Sequence, residues 1–208
     1  MPARAIESKP ARKSFRETQF EAREEAIVNA TNELLASRGY DTMVMDDIAS
    51  AVGIAKGSLY KHFASKESLA AAVMIRLLRR TSAALDSQPA GMSAWNRISN
   101  LLEWTLRERL AGGVPHLPST SQALRDYLTN DPDYVDELMI LSDAVGELIE
   151  QARADGAIRP DLDDAFVLYT VYARSCDPTL DFLHAGGAVS DDEIVRQMVS
   201  TTMNGLRA

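Results

Sequence analysis

Apolar residues recur at helical spacing along most of this chain. Ile27, Ala30, Leu34 and Leu35 form one face of a helix predicted over 20–38, and Gly39 stops it. Ile48, Ala49 and Val52 repeat the pattern on a short helix that Gly53 can end in a left-handed conformation, and Leu59 and Phe63 share a face on the next. Small Ala49 lets these two short helices approach closely. Their tight junction leaves Lys56, Gly57, Ser58, Tyr60, Lys61 and His62 on or near the outward surface, as groups that bind phosphates and base edges. A fourth helix is predicted from Ser65 to about Leu85, with the Ser65 hydroxyl as cap and Glu67 and Ser68 in the first turn. Lys66 stands at its amino end, where exposed backbone donors suit a phosphate.

Beyond Pro89 and Gly91 the pattern stays helical. Segments are predicted over 93–110, 119–128, 130–154, 161–176 and 190–206. Gly112-Gly113 with Pro115 and Pro118, Asp155-Gly156 and Gly186-Gly187 punctuate them, and Ser190 with Glu193 reads as a capping box. Asp177-Pro178 reads either as a kink or as the start of a separate short helix. The fold class is all-α.

Charge changes the picture only when read by segment. The chain carries 22 Lys plus Arg against 30 Asp plus Glu, a net of -8. Residues 1–80 hold 13 basic and 10 acidic groups, leaving 9 and 20 for the rest, and the last lysine is Lys66. A basic head joined to an acidic body directs nucleic acid to one end. The first 19 residues, with Arg4, Lys9, Arg12, Lys13 and Arg16, read as a flexible basic arm that either tracks DNA or is a solvated tail.

The opening segment lacks an apolar core, no stretch approaches membrane-spanning length, and the single Cys176 cannot form an internal disulfide. A cytoplasmic location without membrane association is expected. His62, His116 and His184 are scattered, and no catalytic or phosphate-cradling motif appears; neither an enzyme nor a cofactor is expected.

The string from Ile27 to Leu69 resembles the DNA-binding domain of TetR-family transcriptional regulators. It carries the Gly39-Tyr40 stop, the Asp47-Ile48-Ala49 start, the Gly53 turn, Gly57-Ser58-Leu59-Tyr60, and Phe63 followed by Ser65-Lys66-Glu67 and Leu69. The resemblance implies an N-terminal three-helix helix-turn-helix head over 20–64 and a larger helical ligand-binding and dimerisation body over 65–208, with 65–85 as connector. It implies a ligand-responsive regulator, a repressor rather than an activator, that reads an inverted-repeat operator as a homodimer. Expected DNA contacts are Thr42, Lys56, Gly57, Ser58, Tyr60, Lys61, His62 and Lys66. Two positions depart from the family pattern: Val44 and its neighbours stand where a capping Ser or Thr is usual, and Ala55 precedes Lys56. More of the phosphate grip then falls on Lys56, Tyr60, His62 and Lys66.

Pairing is expected through the last two helices. Ile194, Val195, Met198, Thr201, Thr202 and Leu206 make one broad face, and residues 166, 167 and 169–172 make another. The alternative is that both fill the core. Candidates for an unidentified small-molecule pocket are Trp95, Trp104, His116, Tyr127, Met139, Tyr169, Tyr172, Arg174 and Cys176. Arg174 pairs either with Asp177 or with an anionic ligand. The remaining alternatives are an interaction protein and a redox-sensing regulator using Cys176.

Overall fold

The computed structural model describes residues 14–115, 117 and 121–208, and among these it forms ten helices. Most of the expected arm and His116 lie outside the described residues. Helix α1 (Phe15–Arg38) begins five residues before the expected Phe20. Ser14 and Glu17 make a reciprocal capping box, the Glu17 amide donating to Ser14 Oγ at 3.2 Å and the Ser14 amide to Glu17 Oε2 at 2.7 Å. Residues 14–19 are therefore cap and first turns of a helix rather than arm.

Helices α2 (Met45–Val52) and α3 (Lys56–Leu59) form the expected pair. Gly53 sits between them at φ 71, ψ 34, a left-handed conformation that suits glycine. Neither helix has a side-chain cap: Val44 and Ala55 occupy the cap positions. Thr42 does not replace the missing cap, because its hydroxyl donates to Arg38 O at 2.6 Å and closes α1 instead. Helix α4 (Lys66–Asp86) starts at a box made by Ser65 and Ser68, each amide donating to the other hydroxyl at 3.1 Å.

The body is built from α5 (Ala94–Leu110), α6 (Gln122–Asn130), α7 (Pro132–Ala154), α8 (Asp164–Ser175), α9 (Thr179–Gly186) and α10 (Asp191–Leu206). Ser93, Ser121, Asp131 and Ser190 cap α5, α6, α7 and α10, and Pro132 takes the first helical position, where its missing amide costs nothing. The expected box at Ser190 is only half formed, because the Glu193 carboxylate turns to Arg196 and Gln197. Helix α8 starts three residues later than expected: Arg153 holds Leu162 O at 2.5 Å and Asp164 Oδ1 at 2.7 Å, keeping the incoming chain off the helical path. Pro178 splits the chain rather than kinking it, and Asp177 Oδ1 accepts the Thr179 amide at 2.8 Å to start α9.

Two apolar clusters fix the architecture. The head core joins Ile27, Leu35, Met43, Ile48, Ala49 and Leu59 to Leu69, Ala70 and Val73 of α4 and to Leu124 of α6. The body core packs the far half of α4 with α5, α7, α8 and α10. Helix α4 thus contributes to both. Three polar contacts reinforce this union. Arg76 on α4 reaches Asn29 Oδ1 and, at 3.4 Å, Val28 O on α1. Asn32 on α1 donates to Gly112 O at 2.9 Å, in the loop after α5.

Candidate functional site

The outward surface of the head is assembled from α3 and the start of α4. Lys56, Gly57, Tyr60 and Lys61 are exposed and Ser58 is half-buried. Lys56 Nζ lies 2.7 Å from Asp46 Oδ1, an exposed pair that ties α3 to α2 and holds the ammonium above its ordinary pKa, through the hydrogen bond first and then the charge. Lys66 Nζ sits 4.2 Å above the Tyr40 ring and 3.4 Å from Asp41 O. The Tyr40 hydroxyl donates to Glu67 Oε1 at 2.9 Å, and burial with that carboxylate pushes its pKa up. Burial alone would raise the Glu67 carboxyl, yet hydrogen bonds from its own backbone, Ser65 and Tyr40 bring it below its ordinary value. Together these hold Lys66 near the recognition segment as a fixed positive charge.

His62 departs from its expected outward position. Its side chain is 4% exposed, its ring stacks at 4.2 Å on Phe20, and Nδ1 lies 3.5 Å from Glu24. Phe20 and Glu24 of α1 supply that cover, so His62 fastens the turn after α3 to α1 rather than facing a groove. Thr42 is exposed, but its proton is committed to Arg38 O, and it serves a phosphate only by surrendering that bond.

In the body, α4, α5, α7 and α8 surround a cavity of about 220 Å³. Leu77 and Leu78 of α4, Leu101 and Thr105 of α5, Tyr134 and Leu138 of α7 and Ser175 of α8 contribute to its wall. Of the sequence candidates, Tyr172 and Cys176 line it. Trp95 packs against the body core, Trp104 lies under Arg80 at 5.9 Å, and Tyr127 is half-buried on α6. Met139 and Tyr169 point outward, 53% and 68% exposed. Arg174 takes the paired reading, with Asp177 and with Thr202 Oγ1 at 2.8 Å. Among the lining residues that sequence reasoning missed, Tyr134, Leu138 and Leu141 stand at i, i+4 and i+7 on α7; that spacing was a signal for a shared inward face.

Burial raises the Tyr134 and Tyr172 hydroxyl pKa values, with a hydrogen bond to Ser142 opposing it for Tyr172. Cys176 is exposed, and surrounding protein still pushes its thiol up, against a smaller lowering by Arg109. A thiol held in the protonated form is a slow nucleophile, which weighs against the redox alternative.

The expected pairing surface is divided. Ile194, Val195, Met198, Thr202 and Leu206 are buried in the subunit's own core, as are Val167 and Val171. Part of the sequence-predicted face on α10 is thus core, filled in part by Leu180 of α9. Phe166 and Tyr169, 57% and 68% exposed, remain outward on α8 beside Thr201 and Gly205 of α10.

Residues 27–73 match the family model for bacterial regulatory proteins, tetR family. The chain is 25% identical over 191 residues, 89% of this chain and 94% of the relative, to the HTH-type transcriptional repressor AcnR of Corynebacterium diphtheriae. It is 26% identical over 212 residues, 96% of this chain and 91% of the relative, to the HTH-type transcriptional activator FasR of Mycolicibacterium smegmatis. Its fold matches the fatty acid degradation regulator FadR from Bacillus halodurans at a TM-score of 0.69 and 17% identity, over 88% of this chain and 96% of that one. No described helix is long and apolar enough to cross a membrane. The reading pair with a helical body behind it, the family-model match over residues 27–73 and the likeness to these regulators together support a TetR-family transcriptional regulator, a class of DNA-binding proteins rather than enzymes.

Proposed function

We propose that two copies of this chain pair through the outward faces of α8 and α10, place α3 in successive major grooves of an inverted-repeat operator, and release it when a small molecule fills the cavity. The observation that carries this reading is the double duty of α4. Leu69, Ala70 and Val73 belong to the head core, and Met74, Leu77, Leu78 and Thr81 on the same helix line the cavity. A ligand that prefers one tilt of α4 changes the separation of the two heads, by no more free energy than its preference between the two states.

In this reading the head spans 20–64, extended by the first turns of α1, and the body spans 65–208. Lys56, Gly57, Ser58, Tyr60, Lys61 and Lys66 meet the DNA. Pairing is supported by Phe166 and Tyr169, large rings that otherwise face water beside a shallow groove bounded by Thr170, Ala173, Thr201 and Gly205. Repression is the reading the resemblance implies; of the two relatives above, one is a repressor and one an activator. The regulator acts in the cytoplasm, on the genome.

Capture of fragmented genomic DNA on the purified, ligand-free protein at moderate salt tests this. One inverted repeat bound by a dimer is the expected result. Retention of no sequence above background by ligand-free dimer would overturn it.

A further inference from the structure

The chemistry of the cavity narrows what can enter it. No Lys, Arg, His, Asp or Glu stands among its described lining residues. Two guanidinium groups beside it are already committed: Arg109 reaches Asp181 Oδ2 at 2.6 Å and Ser175 O at 3.3 Å, and Arg174 is held by Asp177 and Thr202. An anion entering among Leu77, Leu101 and Leu138 would lose its hydration and meet no cation in return. An apolar cavity of about 150 Å³ accommodates benzene; at about 220 Å³ this one suits a body near the size of two fused rings.

One end of the wall is short of protons. Thr105 Oγ1 lies 2.8 Å from Leu102 O, Ser175 Oγ lies 3.1 Å from Val171 O, and the two hydroxyls lie 3.0 Å apart. Two hydroxyl protons cannot serve three oxygen–oxygen contacts. A lone pair is therefore left for a donor from outside.

We infer that the cavity takes an uncharged, largely apolar molecule of about two fused rings that carries a hydroxyl-type donor, which meets the Thr105–Ser175 pair. This rests on the cavity being the ligand site of the proposed regulator. It excludes free carboxylates and phosphates from that site.

The test is calorimetric titration of the full-length protein with 2-naphthalenemethanol and with 2-naphthoate, close in shape and different in charge. At about pH 8 the alcohol binds at least about tenfold more tightly. Between about pH 8 and pH 6 its affinity stays constant, while that of naphthoate rises by about tenfold per unit as pH falls, because only the protonated acid enters. Leu138→Trp, which fills the cavity, removes binding of both. Thr105→Val keeps the shape and weakens the alcohol severalfold while leaving naphthalene itself unaffected, and equal weakening of naphthalene would remove the hydroxyl assignment.

Naphthoate binding as tightly as the alcohol, without pH dependence, would overturn the neutral-ligand class while leaving the cavity as a ligand site. If neither compound binds the wild-type protein and Leu138→Trp is indistinguishable from it, the assignment of the cavity as the ligand site fails as well.

Discussion

Leu124 is the sharpest point at which to test how head and body are joined. It is carried by α6, sixty residues after the reading pair, yet it is 2% exposed and clusters with Leu69, Ala70 and Val73 in the head core. Leu124→Ala removes three buried carbons and leaves a void that two long helices, α1 and α4, cannot readily close. Buried Leu→Ala changes cost about 2–5 kcal/mol. A loss of about 3 kcal/mol in a chain of this length lowers Tm by about 6–12 °C. Leu183→Ala on α9, where the side chain is 39% exposed, is the control and stays within about 0.5 kcal/mol. Thermal unfolding by circular dichroism at one fixed protein concentration reads both. A fall of less than about 2 °C for Leu124→Ala would refute the claim that Leu124 of the body completes the head core.

Further expectations concern the DNA surface, the pairing surface and pH. Lys61→Ala should weaken operator and random DNA alike and lower the slope of log affinity against log salt by about one per half-site, which an unchanged slope would contradict. Phe166→Glu combined with Tyr169→Glu should yield a folded monomer in sedimentation, since both rings are outward; a persistent dimer would place pairing elsewhere. Glu67 has a folded pKa below its ordinary value, so its contribution is full above that ordinary value and is lost as pH falls through the lowered one. The stability gap between wild type and Glu67→Gln should accordingly be constant near about pH 6 and close on acidification, and a gap that widens would contradict the sign.

Local signals were legible where one residue satisfies its own helix. Ser65, Ser93, Asp131 and Ser190 all cap the helices their spacing announced. Ser14-x-x-Glu17 was an equally plain box, masked by the prolines and basic residues before it. Positions decided by distant chain were not legible. His62 turns inward because tertiary packing lays Phe20 and Glu24 of α1 over it, a contact across some forty residues. The apolar face of α10 is consumed within the subunit because Leu102 and Leu106 of α5, and Leu180 of α9, pack against it. The cavity shared this difficulty: aromatic and charged residues suggested themselves as lining, whereas leucines on three helices and hydroxyl-bearing side chains form much of the wall.

The magnitude of coupling this architecture can transmit follows from the same contacts. Beyond the apolar packing of α4 and Leu124, the first helix is held to the body by Arg76 to Asn29, Arg76 to Val28 O and Asn32 to Gly112 O. A net contribution of about 1 kcal/mol for each hydrogen bond places their sum at the upper end of the 1–3 kcal/mol of typical allosteric coupling. In the proposed mechanism no large rearrangement is then required of a ligand, since breaking one or two of these bonds would change operator affinity by about five- to thirtyfold. The Asn32 contact is the one best placed to respond. Its acceptor, Gly112 O, lies two residues from Val114 of the cavity wall, and Gly113 has its backbone tied to Glu108 O at 2.7 Å with no room for a side chain beside that carbonyl and carboxylate. A molecule pressing on Val114 therefore acts on a short, stiff segment whose other end is bonded to the first helix of the reading head.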